Sequence, residues 1–199
     1  MRLIAFVLVA FIVSGPAAAQ TWKDYSYPDY SFAVMFPADP QIETTTYQVA
    51  DGRSVPARIY SVRRDNNEFK VTVADLANAG LQESAVIDHA VRMLSQGGEV
   101  KVDFPHRIYQ VYGRQLSVLR PDGSRTAAAL FQHNGRLYQV EGIMRPGGSD
   151  TDMIQFQQSL VFERNSPNRS EETIRAIREA CRGVVNNPAG LDDPRCARQ

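Results

Sequence analysis

The sequence predicts an α+β fold in which an antiparallel β-sheet built of hairpins is flanked by helices. Three observations support this prediction. Short runs rich in aromatic and β-branched residues are separated by turn pairs such as Asp51-Gly52 and Asn134-Gly135, as in successive hairpins. Two longer segments carry apolar residues at helical spacing. The strands come in runs and the helices are set apart from them, which is the arrangement of α+β domains.

The first 19 residues have the three regions of a secretory signal peptide. Arg2 supplies a positive charge, residues 3–13 are an unbroken apolar run, and three alanines at 17–19 provide the small residues of a cleavage site. The alternative is a membrane anchor, but the apolar run is shorter than the ~20 residues that a spanning helix needs. We therefore expect cleavage before Gln20 and a periplasmic or secreted location for the mature chain.

The chain before residue 80 is predicted to form five strands. In the second, SFAVMFP, the side chains of Phe32, Val34 and Phe36 share one face at period two, and the prolines Pro37 and Pro40 stop the strand. Turn formers separate the remaining segments, so we expect a meander with antiparallel neighbours. The five segments are WKDYSY, SFAVMFP, QIETTTYQV, VPARIYSVR and EFKVTVADL.

Two helices and four further strands are predicted after residue 80. The helix ESAVIDHAVRMLSQGG has one apolar stripe and ends at Gly97-Gly98. The strands EVKVDF, RIYQVYGRQLSVLR, SRTAAALFQ and RLYQVEGIM follow it. The second helix begins with Ser149 or Asp150 as its cap. Expected buried residues are Val86, Ile87, Ala90, Val91 and Leu94 in the first helix, and Met153, Ile154, Phe156 and Leu160 in the second.

A third, short helix and a disulfide are predicted at the C-terminus. The segment SEETIRAIREACRG has helical periodicity, and Cys181 and Cys196 form an even pair in a chain that we expect to be exported. Closing such a loop stabilises a fold by ~3 kcal/mol. A redox pair and a metal site are the alternatives, but the spacing is wide and neither cysteine has a nearby histidine. The predicted domains are residues 1–19, a signal peptide, residues 20–164, an α+β domain, and residues 165–199, a linker, helix and disulfide-closed tail.

Several motifs between residues 22 and 162 resemble those of exported bacterial proteins with the PsbP-like α/β/α sandwich. The motifs are YSFAVMFPADP, the step Gly113-Arg114-Gln115, HNGRLYQVEG and FQQSLVF. The chain departs from the family pattern at Gln115, where a glutamate is usual, and at Tyr112, where a proline is usual. The resemblance implies a fold and a non-enzymatic binding or accessory role, without specifying a chemistry.

The charge of the chain argues against nucleic-acid binding. Without the leader, 21 basic side chains face 22 acidic ones, whereas nucleic-acid-binding domains are usually strongly basic. The distribution is uneven, because residues 101–145 carry 7 basic and 3 acidic side chains and residues 20–100 carry 7 and 11. Uneven charge of this kind steers association with an acidic surface.

Catalytic and metal-binding motifs are missing from the sequence. The three histidines, His89, His106 and His133, lie in separate predicted elements and have no metal-ligand spacing. No nucleophile elbow, zinc-protease or phosphate-loop motif is present. We therefore predict that the protein is not an enzyme and needs no cofactor or metal.

Two functions remain open at this point. The first is an exported non-catalytic accessory or binding module that meets an unknown protein or envelope component. The second is a small-ligand-binding protein or enzyme that uses a cleft between the sheet and a helix. An exposed aromatic and arginine-bearing face would favour the first, and a deep pocket with buried polar groups the second. The candidate partner-binding face consists of Arg107, Tyr109, Tyr112, Arg114 and Arg136.

Overall fold

The computed structural model describes residues 22–162, which form ten strands, two helices and a 3₁₀ turn at Pro28–Tyr30. Strand makes up 55% of this part, and all strand pairs are antiparallel. Neither helix within residues 22–162 is long and apolar enough to cross a membrane. The elements are β1 (Lys23–Tyr27), β2 (Phe32–Phe36), β3 (Gln41–Gln48), β4 (Ser54–Arg64), β5 (Asn67–Asp75), α1 (Glu83–Ser95), β6 (Glu99–Ile108), β7 (Val111–Leu119), β8 (Arg125–His133), β9 (Arg136–Met144), α2 (Asp150–Gln158) and β10 (Val161–Phe162).

Seven strands form the larger sheet, in the order β3-β4-β5-β9-β8-β7-β6. Two meanders, β3 to β5 and β6 to β9, meet where β5 pairs with β9, with Val71 opposite Val140. The turn between β8 and β9 has φ of 50° at Asn134 and 70° at Gly135. Two positive φ angles are what a type I′ turn requires, so this predicted hairpin turn is confirmed. The topology leaves β3 and β6 at the two edges of the sheet.

The segment RIYQVYGRQLSVLR was predicted to be one strand, and this is wrong. It contains the end of β6, a turn at Tyr109 and Gln110, and β7. Tyr109 has φ of 54°, which lets the chain reverse there. Pro105, which the pattern placed at a strand end, lies within β6. An edge strand has one unpaired side and tolerates a residue without an N–H, so the proline does not end the strand.

The prediction of a single sheet included the first two strands, and this is wrong, because they do not join the larger sheet. They form a second, three-stranded sheet in the order β1-β2-β10. Phe32, Val34 and Phe36 are buried as their alternation predicted, and they face the larger sheet. Because Pro37 and Pro40 follow β2, the chain cannot continue its ladder directly into β3. The shared core also contains Tyr60, Val62, Phe69, Val71, Val73, Ala129, Phe131, Tyr138, Val140, Phe156, Leu160 and Phe162.

Helix α1 covers the opposite face of the larger sheet. Its residues Val86, Ile87, Ala90 and Leu94 are buried, as predicted, and Val91 is partly buried against the same core. Most sheet residues on this face are aliphatic or alanine, whereas the other face is rich in aromatic rings. The larger sheet therefore separates two cores, and three layers result.

Helix α2 lies on the aromatic side, next to β9. Its N-cap is Ser149, whose side chain accepts a hydrogen bond of 3.1 Å from the backbone N–H of Asp152, so this predicted cap is confirmed. Met153 and Phe156 are buried as predicted, but Ile154 is 43% exposed and points away from the core. The helix approaches β9 closely because residue 142 is glycine: a Cβ there would clash with the backbone of Met153.

The predicted fold class is correct in its α+β content and wrong in its arrangement. On one side, the larger sheet is covered by a second sheet together with α2, and not by a helix alone. The predicted third helix and the Cys181–Cys196 disulfide fall on residues 163–199, outside the described residues.

Candidate partner-binding surface

The end of the β6–β7 hairpin carries two exposed tyrosines beside an arginine. Arg107 and Tyr112 are cross-strand partners, and the guanidinium carbon lies 5.9 Å from the ring centroid. Tyr109 is 58% exposed and Tyr112 63%. Within residues 22–162, no carboxylate lies within ion-pair distance of Arg107. We call Arg107, Tyr109 and Tyr112 the hairpin tip; it combines the residue types that are enriched in protein interfaces.

The rest of β6 exposes apolar side chains at the sheet edge. Val100, Val102 and Phe104 are large apolar residues with more than a third of their surface exposed. The pairing with β7 shifts between Val100 and Val102, and the strand also carries Lys101 and Pro105. A bulge, a lysine and a proline are devices that keep an edge strand from pairing with another strand. The edge therefore offers side chains to a partner, and its backbone is not suited to pairing with an additional strand.

Arg114 is on the same face as the tip but is already paired. Its Nε donates to Asp103 Oδ1 at 2.8 Å, and its Nη1 lies 3.4 Å from Asp88 Oδ1 on α1. The hydrogen bond to Asp103 raises the pKa of the Arg114 guanidinium, and the two carboxylates offset its charge. Arg114 thus connects the β6–β7 hairpin to α1, and contributes little free positive charge to a partner.

Arg136 lies on the other face of the larger sheet. It is two residues before Tyr138, which belongs to the aromatic core, whereas Arg114 is two residues before Leu116, in the α1 core. The five predicted face residues therefore divide into three groups. The structure brings Arg107, Tyr109 and Tyr112 together, pairs Arg114 with carboxylates, and places Arg136 elsewhere.

The predicted basic part, residues 101–145, does not form a uniform positive surface. Most of its cations have partners within the described residues. Arg120 donates to the backbone carbonyl oxygen of Leu94 at 3.4 Å, near the end of α1. Among these cations, only Arg107 and Arg136 have no carboxylate or carbonyl partner within residues 22–162, and both lie against tyrosine rings. The pairs with carboxylates are Lys101–Glu99, Arg114–Asp103, Arg125–Asp150 and Arg145–Glu68.

Arg136 is part of a second arrangement, which the sequence did not predict. The guanidinium carbons of Arg58 and Arg136 each lie 5.1 Å from the ring centroid of Tyr30. The hydroxyl of Tyr138 donates to the Tyr30 carbonyl oxygen at 2.8 Å and holds the 3₁₀ turn on the sheet. We call Arg58, Tyr30 and Arg136 the Tyr30 clamp. Its members come from a turn, β4 and β9, so no local pattern could have linked them.

The three histidines are apart and pack against other groups. His89 Nε2 lies 3.0 Å from the backbone oxygen of Gln48. The rings of His106 and His133 contact Phe131 at 5.6 Å and Phe162 at 5.0 Å, and burial lowers the pKa of both imidazoles. No cluster of three metal-ligating side chains occurs within residues 22–162. Each histidine therefore has a packing role in the part of the chain that the structure describes.

A buried ion pair lies on the α1 face of the larger sheet. Glu141 Oε1 accepts from Lys70 Nζ at 2.9 Å and from Gln139 Nε2 at 2.7 Å. Burial, with a smaller contribution from Glu141, raises the pKa of the Tyr47 hydroxyl to about 12. The sequence contained one signal for this site, because the polar residues Gln139 and Glu141 interrupt the apolar alternation of β9.

A cleft of ≈ 590 Å³ lies apart from the ion pair and the hairpin tip. It is lined by Gly97, Gly98, Glu99, Leu119, Arg120, Pro121 and Gly123.

Fold and surface together describe a small two-sheet α+β domain with an exposed aromatic hairpin. No family model matches the sequence, and no curated protein matches it. Among solved structures it is similar to the solution structure of cyanobacterial PsbP (CyanoP) from Synechocystis sp. PCC 6803, with 14% identity and a TM-score of 0.49, over 74% of this chain and 96% of that one. It is also similar to a protein of unknown function from Pseudomonas aeruginosa, with 12% identity and a TM-score of 0.33, over 63% of this chain and 83% of that one. These likenesses concern the fold alone, and the first is to a PsbP protein, the family that the sequence motifs resemble.

Proposed function

We propose that this protein is an exported, non-catalytic accessory module that binds a protein partner in the cell envelope through its hairpin tip. The observation that carries the proposal is the exposure of Tyr109 and Tyr112 next to Arg107, whose charge no described carboxylate offsets. Tyrosine and arginine are the residue types that most often dominate binding energy in protein interfaces. The unpaired guanidinium favours a partner with a carboxylate opposite the tip.

The alternative, a small-ligand-binding protein or enzyme with a cleft between sheet and helix, has less support. The ≈ 590 Å³ cleft is lined mainly by glycine, proline and leucine, and Glu99 and Arg120 are its ionisable side chains. A ligand site usually combines a mostly apolar enclosure with several convergent polar groups. The buried pair of Lys70 and Glu141 is chemically richer, but each group already satisfies the other.

Export is the first part of the proposal to test. We expect the protein recovered from the periplasm or medium to begin at Gln20, because the leader has a charged, an apolar and a small-residue region in order. N-terminal sequencing measures this directly. Recovery of a chain that begins at Met1 from that compartment would contradict cleavage.

Partner binding at the tip is tested by site-specific cross-linking. A photo-crosslinking residue at Tyr112 should capture an envelope protein that the same residue at Ile42 does not. Ile42 is a matched position, since it is 53% exposed on β3, the opposite edge of the same sheet. Arg107→Glu should slow association with the captured partner about tenfold at low salt and flatten its salt dependence, because unpaired rim charges act mainly on the association rate.

The control for Arg107→Glu is Arg92→Glu, which changes the net charge equally. Arg92 is exposed on the last turn of α1 and is not part of the hairpin tip. We expect Arg92→Glu to slow association clearly less than Arg107→Glu, because Arg107 lies in the proposed contact and Arg92 lies outside it. Equal capture from positions 112 and 42, or equal effects of the two arginine substitutions, would refute the tip as the binding site.

A further inference from the structure

The Tyr30 clamp holds two positive charges around one aromatic ring. Arg58 is on β4 and Arg136 on β9, and β5 lies between these strands. Arg58 is opposite Val73 and Arg136 is opposite Asp75, two residues further along β5, so the two backbone positions are about 12 Å apart. Both side chains reach the same ring, since each guanidinium carbon lies 5.1 Å from the Tyr30 centroid.

Neither guanidinium of the clamp has an ion-pair partner in the described part of the chain. Asp75 is the strand neighbour of Arg136, but its Oδ1 accepts a hydrogen bond of 3.0 Å from the backbone N–H of Ala77. Asp29 lies in the same 3₁₀ turn as Tyr30 and has no ion pair with either arginine. Two cations held this close repel each other, and a bound anion would relieve the repulsion.

A buried hydroxyl adds an unused donor beside the clamp. Tyr60 is 1% exposed, its ring lies 6.3 Å from that of Tyr30, and its hydroxyl, which Arg58 approaches as a donor, has no acceptor among the described residues. Burial, with a contribution from Tyr30, raises the pKa of Tyr60 to about 12, and Arg58 opposes this rise. The hydroxyl therefore stays protonated at neutral pH and close to the Arg58 charge. Unpaired buried hydroxyls are uncommon and call for a missing partner.

We propose that Arg58, Arg136 and the Tyr60 hydroxyl form a binding site for a phosphate-type dianion. The Tyr30 ring, which contacts both guanidiniums, holds the two arginine side chains in place. The planar fork of each guanidinium suits two oxygens of a phosphate, and a dianion balances the two charges. The phosphate group belongs either to a soluble phosphate monoester or to a lipid headgroup. The site is separate from the hairpin tip, and its existence does not depend on the partner proposed above.

The test uses the mature protein, labelled for NMR, and inorganic phosphate as the probe. At constant ionic strength, the side-chain Nε–Hε signals of Arg58 and Arg136 should shift with saturation. Arg58→Gln and Arg136→Gln should each weaken the apparent affinity about tenfold, as expected for losing a hydrogen-bonded charge. Arg92→Gln is the matched control, because Arg92 is an exposed arginine on α1 that belongs to neither the clamp nor the hairpin tip. It should leave the affinity unchanged.

A second variant, Tyr60→Phe, removes only the hydroxyl and should weaken phosphate binding about threefold. Circular dichroism and thermal melts of each variant separate loss of binding from loss of folding. Flotation with vesicles that contain phosphatidic acid, compared with phosphatidylcholine alone, distinguishes a headgroup from a soluble phosphate. Equal shifts with chloride, or an unchanged phosphate affinity in folded Arg136→Gln, would overturn the site; they would show that the clamp only packs Tyr30.

Discussion

Replacing Phe156 by alanine should lower the free energy of unfolding by about 3–5 kcal/mol, the usual cost of removing a large aromatic side chain from a core. Phe156 is fully buried, and its ring contacts Phe36 of the small sheet at 5.0 Å and Phe69 of the larger sheet at 5.3 Å. It therefore connects α2 to both sheets, and its loss leaves a cavity where the three elements meet. Chemical denaturation followed by circular dichroism measures the change.

The control for this substitution is Ile154→Ala in the same helix. Ile154 is exposed, so its replacement removes little buried area and should change the free energy of unfolding by no more than about 0.5 kcal/mol. Both substitutions are in α2 and both introduce alanine, so the comparison isolates the effect of burial on stability. Similar costs for the two substitutions would show that α2 does not pack as described.

Replacing Lys70 by methionine should cost about 3 kcal/mol or more of folding free energy, because it leaves the Glu141 carboxylate buried without its cation. The two ends of the pair are not equivalent: the Glu141 side chain is 4% exposed and that of Lys70 26%. Lysine can turn its ammonium group towards water when its partner is removed. We therefore expect Glu141→Gln to cost clearly less than Lys70→Met, although both remove the same ion pair.

The double substitution Lys70→Met with Glu141→Leu completes the comparison. Replacing both ends of a buried pair by apolar residues is often neutral or stabilising, so the double variant should be more stable than Lys70→Met alone. Denaturant titrations of the two single variants and the double variant measure the coupling. If the effects of the single substitutions simply added, the two side chains would not interact in the folded protein.

The position of the hairpin tip follows from how the layers cover the larger sheet. Helix α1 packs mainly over β7, β8 and β9, and α2 mainly over β5, β8 and β9. Strand β6 lies outside both layers, and almost all its side chains are exposed. At the end of the hairpin, Ile108 and Val111 pack against the aromatic core, while Arg107 and Tyr112 lie on the other face, where the neighbouring Arg114 pairs with Asp88 of α1. A surface placed in this way can bind a partner without disturbing either core.

Features that depend on neighbours in the sequence were predicted correctly. The apolar stripe of α1, the Ser149 cap of α2, the alternation in β2 and the Asn134-Gly135 turn each involve a few consecutive residues. Helix periodicity, capping and turn conformation are set by local geometry, which the residue order alone specifies. The tyrosines of the hairpin tip were recognised for a related reason, since Arg107, Tyr109 and Tyr112 are close in sequence.

Features that depend on distant residues were decided only by the tertiary structure. The separation of β1 and β2 into a second sheet depends on pairing between β2 and β10, and the Tyr30 clamp joins a turn to β4 and β9. The continuation of β6 through Pro105 depends on β6 being an edge strand. An alternating pattern states which side of a strand is apolar, but not which strand lies beside it or which layer covers it. Those choices are made by the packing of side chains that are far apart in the chain, because only one arrangement buries both apolar faces of the larger sheet.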